Sequence, residues 1–99
     1  MAFTKEQHDT LVAWIRDNII PRDTINHDYD TCHIRAAYIR VQQEKGDTYF
    51  YIDNDSINDV MLELGYRAEH YREAPYLHFN MSSQSPVLQT LRNKIWGSQ

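Results

Sequence analysis

Between positions 27 and 33 the chain sets His27, Asp28, Asp30, Cys32 and His33 close together. Imidazole, carboxylate and thiolate are the ligands of zinc, and a cysteine beside a histidine is the minimum of a thiol nucleophile and its base. Neither chemistry has its spacing here. The run matches no zinc-ligand arrangement, and no third, distant group is evident that would complete a site or orient the base. His70 and His78 are the nearest additions, since a hairpin over this region would let them face each other. A polar loop followed by a helix cap accounts for the first cluster, and cross-strand packing accounts for the two histidines. Gly46, Gly65 and Gly97 are the only glycines, so there is no phosphate-cradling glycine loop. The expectation is a protein without catalytic residues, without a metal and without a cofactor.

A different group carries more information. In the segment from Tyr51 to Tyr66, YIDNDSINDVMLELGY, the residues Ile57, Val60, Met61 and Leu64 recur at helical spacing. Asn54 is placed to serve as N-cap, and Gly65 stands where a left-handed C-terminal cap is wanted. At about 100° per residue, Asp55, Asn58, Asp59 and Leu62 fall opposite that apolar face and form the outward side. Such a helix has the geometry of a recognition helix, but two aspartates there would meet phosphates and acceptor-rich base edges. A solvated face is the bland explanation of the acids. Leu62, apolar and centred among them, favours a contact with a protein.

Basic residues make the competing case. Arg35 lies on the flank of a preceding helix, and Arg67, His70 and Arg72 belong to a hairpin that resembles a wing. Wings and the helix before them do contact phosphates. Glu69 and Glu73 alternate with those bases, however, and mixed charge on a hairpin commonly protects an edge strand. Nucleic-acid binding through Arg35, Arg67 and Arg72 is therefore the alternative to protein binding through Asp55, Asn58, Asp59 and Leu62.

These groups need elements to hold them. Thr4 and Gln7 form a capping box, and Leu11, Val12, Trp14, Ile15 and Ile19 follow at helical spacing, which predicts a helix over residues 5 to 19, ended by Pro21. Residues 21 to 30 show no period and read as a solvated connection. Asp30 or Thr31 caps a second helix over residues 31 to 44, with Ile34, Ala37, Tyr38 and Val41 inward and Lys45 and Gly46 closing it. Thr48 to Ile52 reads as a short strand, and the third helix covers residues 54 to 64. YRAEHY and PYLHFNM suit a β-hairpin. Ser85 and Pro86 start a last helix over residues 86 to 96, with Leu88, Leu91 and Ile95 on one face. Ile34, Tyr38, Val41, Ile57, Met61 and Leu64 are expected to be buried together. Tyr49, Phe50, Tyr51, Tyr66, Tyr71, Tyr76 and Phe79 gather around the sheet as core. Trp96 either covers that core or joins a homodimer contact.

Composition bounds the rest. Ninety-nine residues with 41% hydrophobic content supply one core and one domain over residues 1 to 99. Ten basic and 14 acidic residues give a net charge of −4, so no general attraction to nucleic acid or anionic membrane is implied. Cys32 is the single cysteine, which excludes an internal disulfide and suits a reducing, cytoplasmic compartment. No apolar run approaches the ~18 residues of a membrane span, and the amino-terminal stretch is polar rather than signal-like.

Residues 31 to 82 resemble a small, largely uncharacterised protein family carried by phages and prophages of Gram-positive bacteria. Its helix start, S-Y-x-L-K-H, is similar to Thr31, Cys32, His33, Ile34, Arg35 and Ala36 at the hydroxyl, aliphatic and basic positions. Its central signature, Y-x-x-N-x-x-F-x-x-A-M-x-x-x-G-Y, is matched by Tyr51, Asn54, Met61, Gly65 and Tyr66, with Ile57 replacing the aromatic and Val60 the alanine. Its closing element, Y-x-F-N-x-S, has Leu77 for the tyrosine and agrees at Phe79, Asn80 and Ser82. The resemblance implies a mobile-element accessory protein with a winged-helix-like core and implies no activity. The expected fold is thus α+β and winged-helix-like: three helices, a short strand and a β-hairpin, with an added C-terminal helix. The expected function is non-enzymatic binding of a protein partner, such as a host enzyme or defence component that it inhibits. The alternative is a small DNA-binding or replication-accessory protein.

Overall fold

The computed structural model describes residues 4–46, 51–70 and 76–91, except the side chains of His70, Thr90 and Leu91. The first helix, α1 (Lys5–Asn18), begins at the capping box that the sequence encodes: Thr4 Oγ1 accepts the Gln7 N–H, and the Thr4 N–H donates to Gln7 Oε1, both at 3.0 Å. These two bonds satisfy amide donors that the first turn leaves without helical partners. Leu11 and Ile15 on its inner face are fully buried. The second helix, α2 (Thr31–Glu44), is capped by Asp30, whose carboxylate accepts the Cys32 N–H at 2.9 Å. The third, α3 (Asn54–Glu63), is capped by Asp53 rather than by Asn54, with the Ser56 N–H donating to the Asp53 carboxylate at 2.8 Å. Hydrogen bonds from Ser56, its side chain first and its backbone N–H second, hold the Asp53 carboxyl below its ordinary pKa of 3.8.

The end of α3 follows the expected pattern. Gly65 has φ +94°, its N–H donates to Leu62 O at 3.0 Å, and the Tyr66 N–H reaches back to Met61 O at 3.1 Å. This is a Schellman closure, which a residue bearing a Cβ adopts only with strain. The chain then forms β1 (Ala68–His70) and β2 (Leu77–Phe79), an antiparallel pair with Ala68 opposite Phe79, Glu69 opposite His78 and His70 opposite Leu77. His78 therefore faces Glu69 across the pair and not His70. A last described helix, α4 (Pro86–Leu91), packs on α2, while α2 also packs on α3 and α1 on α3. The architecture is α+β, with four helices and one small antiparallel sheet among the described residues.

Ile34, Tyr38, Ile57 and Met61 come together in the core as expected, joined by Ile15, Phe79, Met81 and Leu88. Leu64 is partly buried against this core, whereas Val41 is only half-buried. The larger correction concerns residues 21 to 30, an irregular connection as expected, with Pro21, Asp23, Thr24, His27 and Asp28 exposed, but docked along its length rather than solvated throughout. Pro21 pairs with Met81, the Arg22 N–H donates to Asn80 O, and the Asn26 N–H donates to Phe79 O. The segment lies along the chain that continues from β2, and its backbone finds partners there. Asn26 is fully buried, and its amide donates to Met81 O and Ser83 Oγ. Ser85, just before α4, is likewise buried and uses its hydroxyl to accept the Ile20 N–H at 2.8 Å.

Some expectations lie outside the described residues: most of the strand proposed over residues 48 to 52, the hairpin turn with Arg72, the helix beyond Leu91, and Trp96. Of that strand, Tyr51 and Ile52 are described and are irregular, with Ile52 buried and Tyr51 exposed. No helix among the described residues is long and apolar enough to cross a membrane.

Candidate functional site

The outer side of α3 is set by the helix period and by what packs against its inner side. Ile57, Val60 and Met61 are buried, which turns Asp55, Asp59 and Leu62 into a stripe about 60° wide on the opposite side. Asp55 and Asp59 are exposed, and neither enters an ion pair among the described residues. Leu62 is 47% exposed between one carboxylate and the next. Glu63 continues the stripe at the spacing i, i+4, i+8, and its carboxylate is 2.7 Å from His8 Nε2 on α1. That contact with Glu63, supplemented by Asp9, raises the His8 pKa above its ordinary 6.5.

Asn58 does not belong to this face. It is 8% exposed, and its Oδ1 accepts a 2.6 Å hydrogen bond from Thr31 Oγ1 at the start of α2. By angle it sits on the flank of the stripe, and the N-terminal turn of α2 covers that flank. Thr31 completes the junction by accepting the Leu77 N–H at 2.9 Å, so one buried hydroxyl ties α2, α3 and β2 together. The outward group thus reduces to Asp55, Asp59 and Leu62, with Glu63 added.

Of the three arginines of the nucleic-acid alternative, Arg72 lies outside the described residues, and Arg35 and Arg67 are used within the fold. Arg35 is half-buried, donates from Nε to Ile52 O and lies 5.2 Å from the centre of the Tyr51 ring. Arg67 donates from its guanidinium to the Asp23 carbonyl across the docked segment. A guanidinium held on a backbone carbonyl has lost part of its capacity to meet phosphate, although its charge remains.

The chemical cluster of residues 27 to 33 is likewise absorbed by structure. His33 occupies the third position of the α2 capping box, where its Nδ1 accepts the Asp30 N–H at 3.1 Å. Tyr29 packs edge-on against the His33 ring. Cys32 is exposed on the first turn. His27 reaches Glu69 on β1 at 2.6 Å, and its ring stands 5.5 Å from that of buried His78. His78 Nδ1 is held by Tyr29 O at 2.9 Å and Asn26 O at 3.2 Å. Among the described residues no group of three or more His, Cys, Asp or Glu is arranged to hold a metal ion.

Two depressions lie near these elements. One of about 510 Å³ is bounded by Arg16 of α1, Ile19 just after it, Pro21, Asn80, and Glu63, Leu64, Gly65 and Tyr66 at the end of α3. The other, about 850 Å³, runs along α1 past Trp14 to Gln42 and Lys45 and includes no residue of α3. Sequence reasoning missed Arg16 and the first depression, because residues so far apart in the chain carry no common local signal. No protein-family model, no curated protein and no solved structure matches this chain.

Proposed function

We propose that this chain is a non-enzymatic, winged-helix-like accessory protein of a phage or mobile element, which acts in the cytoplasm by binding a protein partner through Asp55, Asp59 and Leu62. Inhibition of a host enzyme or defence component is the outcome that suits such a protein. The observation that carries the reading is Leu62, an apolar side chain nearly half exposed on a helix whose Asp55 and Asp59 have no ion-pair partner among the described residues, while Glu63 is held by His8. A partner that covers Leu62 gains on the order of 1 kcal/mol from its exposed remainder, and opposite charges around it fix the register. The non-enzymatic part rests on the roles of Asp30, His33 and His78, each committed to a backbone group of the fold. A nucleic-acid interface has less support, since Arg35 and Arg67 are turned onto carbonyls of the chain itself.

The test is capture of partners from the natural host with the unmodified protein and with Asp55→Lys combined with Asp59→Lys. One stoichiometric protein retained by the first and lost by the second is expected, with both proteins folded. Micromolar binding to short duplex DNA at physiological salt by the unmodified protein, lost on Arg67→Ala, would replace this reading with the nucleic-acid one.

A further inference from the structure

The acidic stripe of α3 leads into the cleft between α1 and the end of α3. Asp55, Asp59 and Glu63 follow one another at about 6 Å along the axis, and Glu63 is itself a wall of the cleft. The lining is mixed: Leu64 and Tyr66, partly buried against the core, and Pro21 supply its apolar part above the buried Ile19, and Asn80, Glu63 and Arg16 its polar part. Tyr66 is fixed there by donating its hydroxyl to Ile19 O at 2.8 Å. Arg16 of α1 also lines the cleft, exposed and in no ion pair among the described residues. Ile20 and Leu62, two of the exposed large apolar side chains, are chain neighbours of the cleft walls. A volume of about 510 Å³ is of the size that holds one large side chain with its backbone.

The order along this path is two unpaired acids, then Glu63, whose carboxylate His8 already holds, then the apolar part of the lining and a base. We propose that the cleft receives the C-terminal end of the partner protein, a basic tail with an apolar last residue. That residue rests on Ile19, Leu64 and Tyr66, and its free carboxylate meets the Arg16 guanidinium. An extended tail places alternate side chains about 6.7 Å apart, close to the ~6 Å interval of the carboxylates on α3. Basic residues four and two places before the end then face Asp55 and Asp59. A chain terminus supplies the negative charge at the required end without any further residue and does not have to leave the cleft. This assignment rests on the reading of α3 as a protein-binding face and adds the chemistry of what it binds.

The experiment uses the full chain and a synthetic pentapeptide with lysine at its first and third positions, alanine at its second and fourth, and a terminal leucine. It is prepared as the free acid and as the C-terminal amide. Binding is followed by the backbone amide resonances of the protein at millimolar peptide. Saturable shifts at Arg16, Ile19, Gly65 and Tyr66 are expected with the free acid, at least about tenfold weaker binding with the amide, and loss of that difference in Arg16→Gln. Arg16→Lys, which keeps the charge, restores part of it. Absence of saturable shifts with the free acid, equal affinity of acid and amide, or a difference that survives Arg16→Gln overturns the proposal. Should Arg16→Gln fail to fold, the comparison of acid and amide on the unmodified protein decides alone. Host-partner capture that is lost with Asp55→Lys and Asp59→Lys but undiminished in Arg16→Gln removes the cleft from the interface while leaving the α3 reading in place.

Discussion

Replacing Thr31 by valine tests the junction that presents α3. The side chains are nearly the same size, so the change removes a hydroxyl with little change in shape. Thr31 is fully buried, and its hydroxyl donates to Asn58 Oδ1 at 2.6 Å and accepts the Leu77 N–H at 2.9 Å. Valine deletes both bonds and takes from the Leu77 amide the acceptor that Thr31 supplies. A buried polar group left without its partner costs about 1–3 kcal/mol, and two are affected. The added methyl group returns at most about 0.8 kcal/mol. A net loss of about 2–3 kcal/mol is expected, while Thr31→Ser, which keeps the hydroxyl, should cost about 1 kcal/mol or less. For a domain of this size each kcal/mol lowers Tm by about 4–8 °C, so the valine variant should melt at least about 8 °C lower. Urea titrations followed by circular dichroism measure both changes. A valine variant within about 0.5 kcal/mol of the parent, or no better than equal to the serine variant in cost, would refute the claim that this hydroxyl ties α2, α3 and β2 together.

Asp55→Lys with Asp59→Lys should lower the unfolding free energy measured in urea by no more than about 1 kcal/mol, since both side chains are exposed and only Asp55 gives up a first-turn helix-dipole interaction; a larger loss means that the stripe is structural. Because Glu63, and then Asp9, raise the His8 pKa, the folded state favours protonated His8. Its contribution is present in full below pH 6.5 and is lost as pH rises through the raised value. An NMR titration should therefore place His8 above 6.5, and Glu63→Gln should bring it back toward 6.5; an unchanged titration in that variant breaks the link. Gly65→Ala should cost about 1–2 kcal/mol through φ +94° alone, because a Cβ there meets nothing within 4 Å; a neutral substitution would show that the closure relaxes freely. Asp53→Ala should cost about 1 kcal/mol as the loss of a cap, whereas Asn54→Ala should not weaken the start of α3 by that route.

What the sequence determined by itself is what depends on neighbours along the chain. Thr4 with Gln7, Asp30, Gly65 and the period of Ile57, Val60 and Met61 encode helix starts, stops and inward faces, because capping and amphipathic spacing act within a few residues. The antiparallel pair was legible from alternation for the same reason. Tertiary structure decided what depends on contacts distant in sequence. Asn58 has the angle of a half-outward residue, yet it is buried, and Thr31 on another helix hydrogen-bonds to it. Residues 21 to 30 have the composition of a solvent loop, yet the unpaired backbone after β2 gives their amides and carbonyls partners, and Asn26 becomes core. Arg35 and Arg67 read as free surface charge until the fold brings Ile52 O and Asp23 O within their reach. Arg16 carries no local signal and comes to line one cleft with Glu63 and Tyr66 only when α1 and α3 pack. Local chemistry sets the elements and their faces, whereas the flank of a face, the partner of a polar atom and the walls of a cleft are fixed only when separate elements pack together.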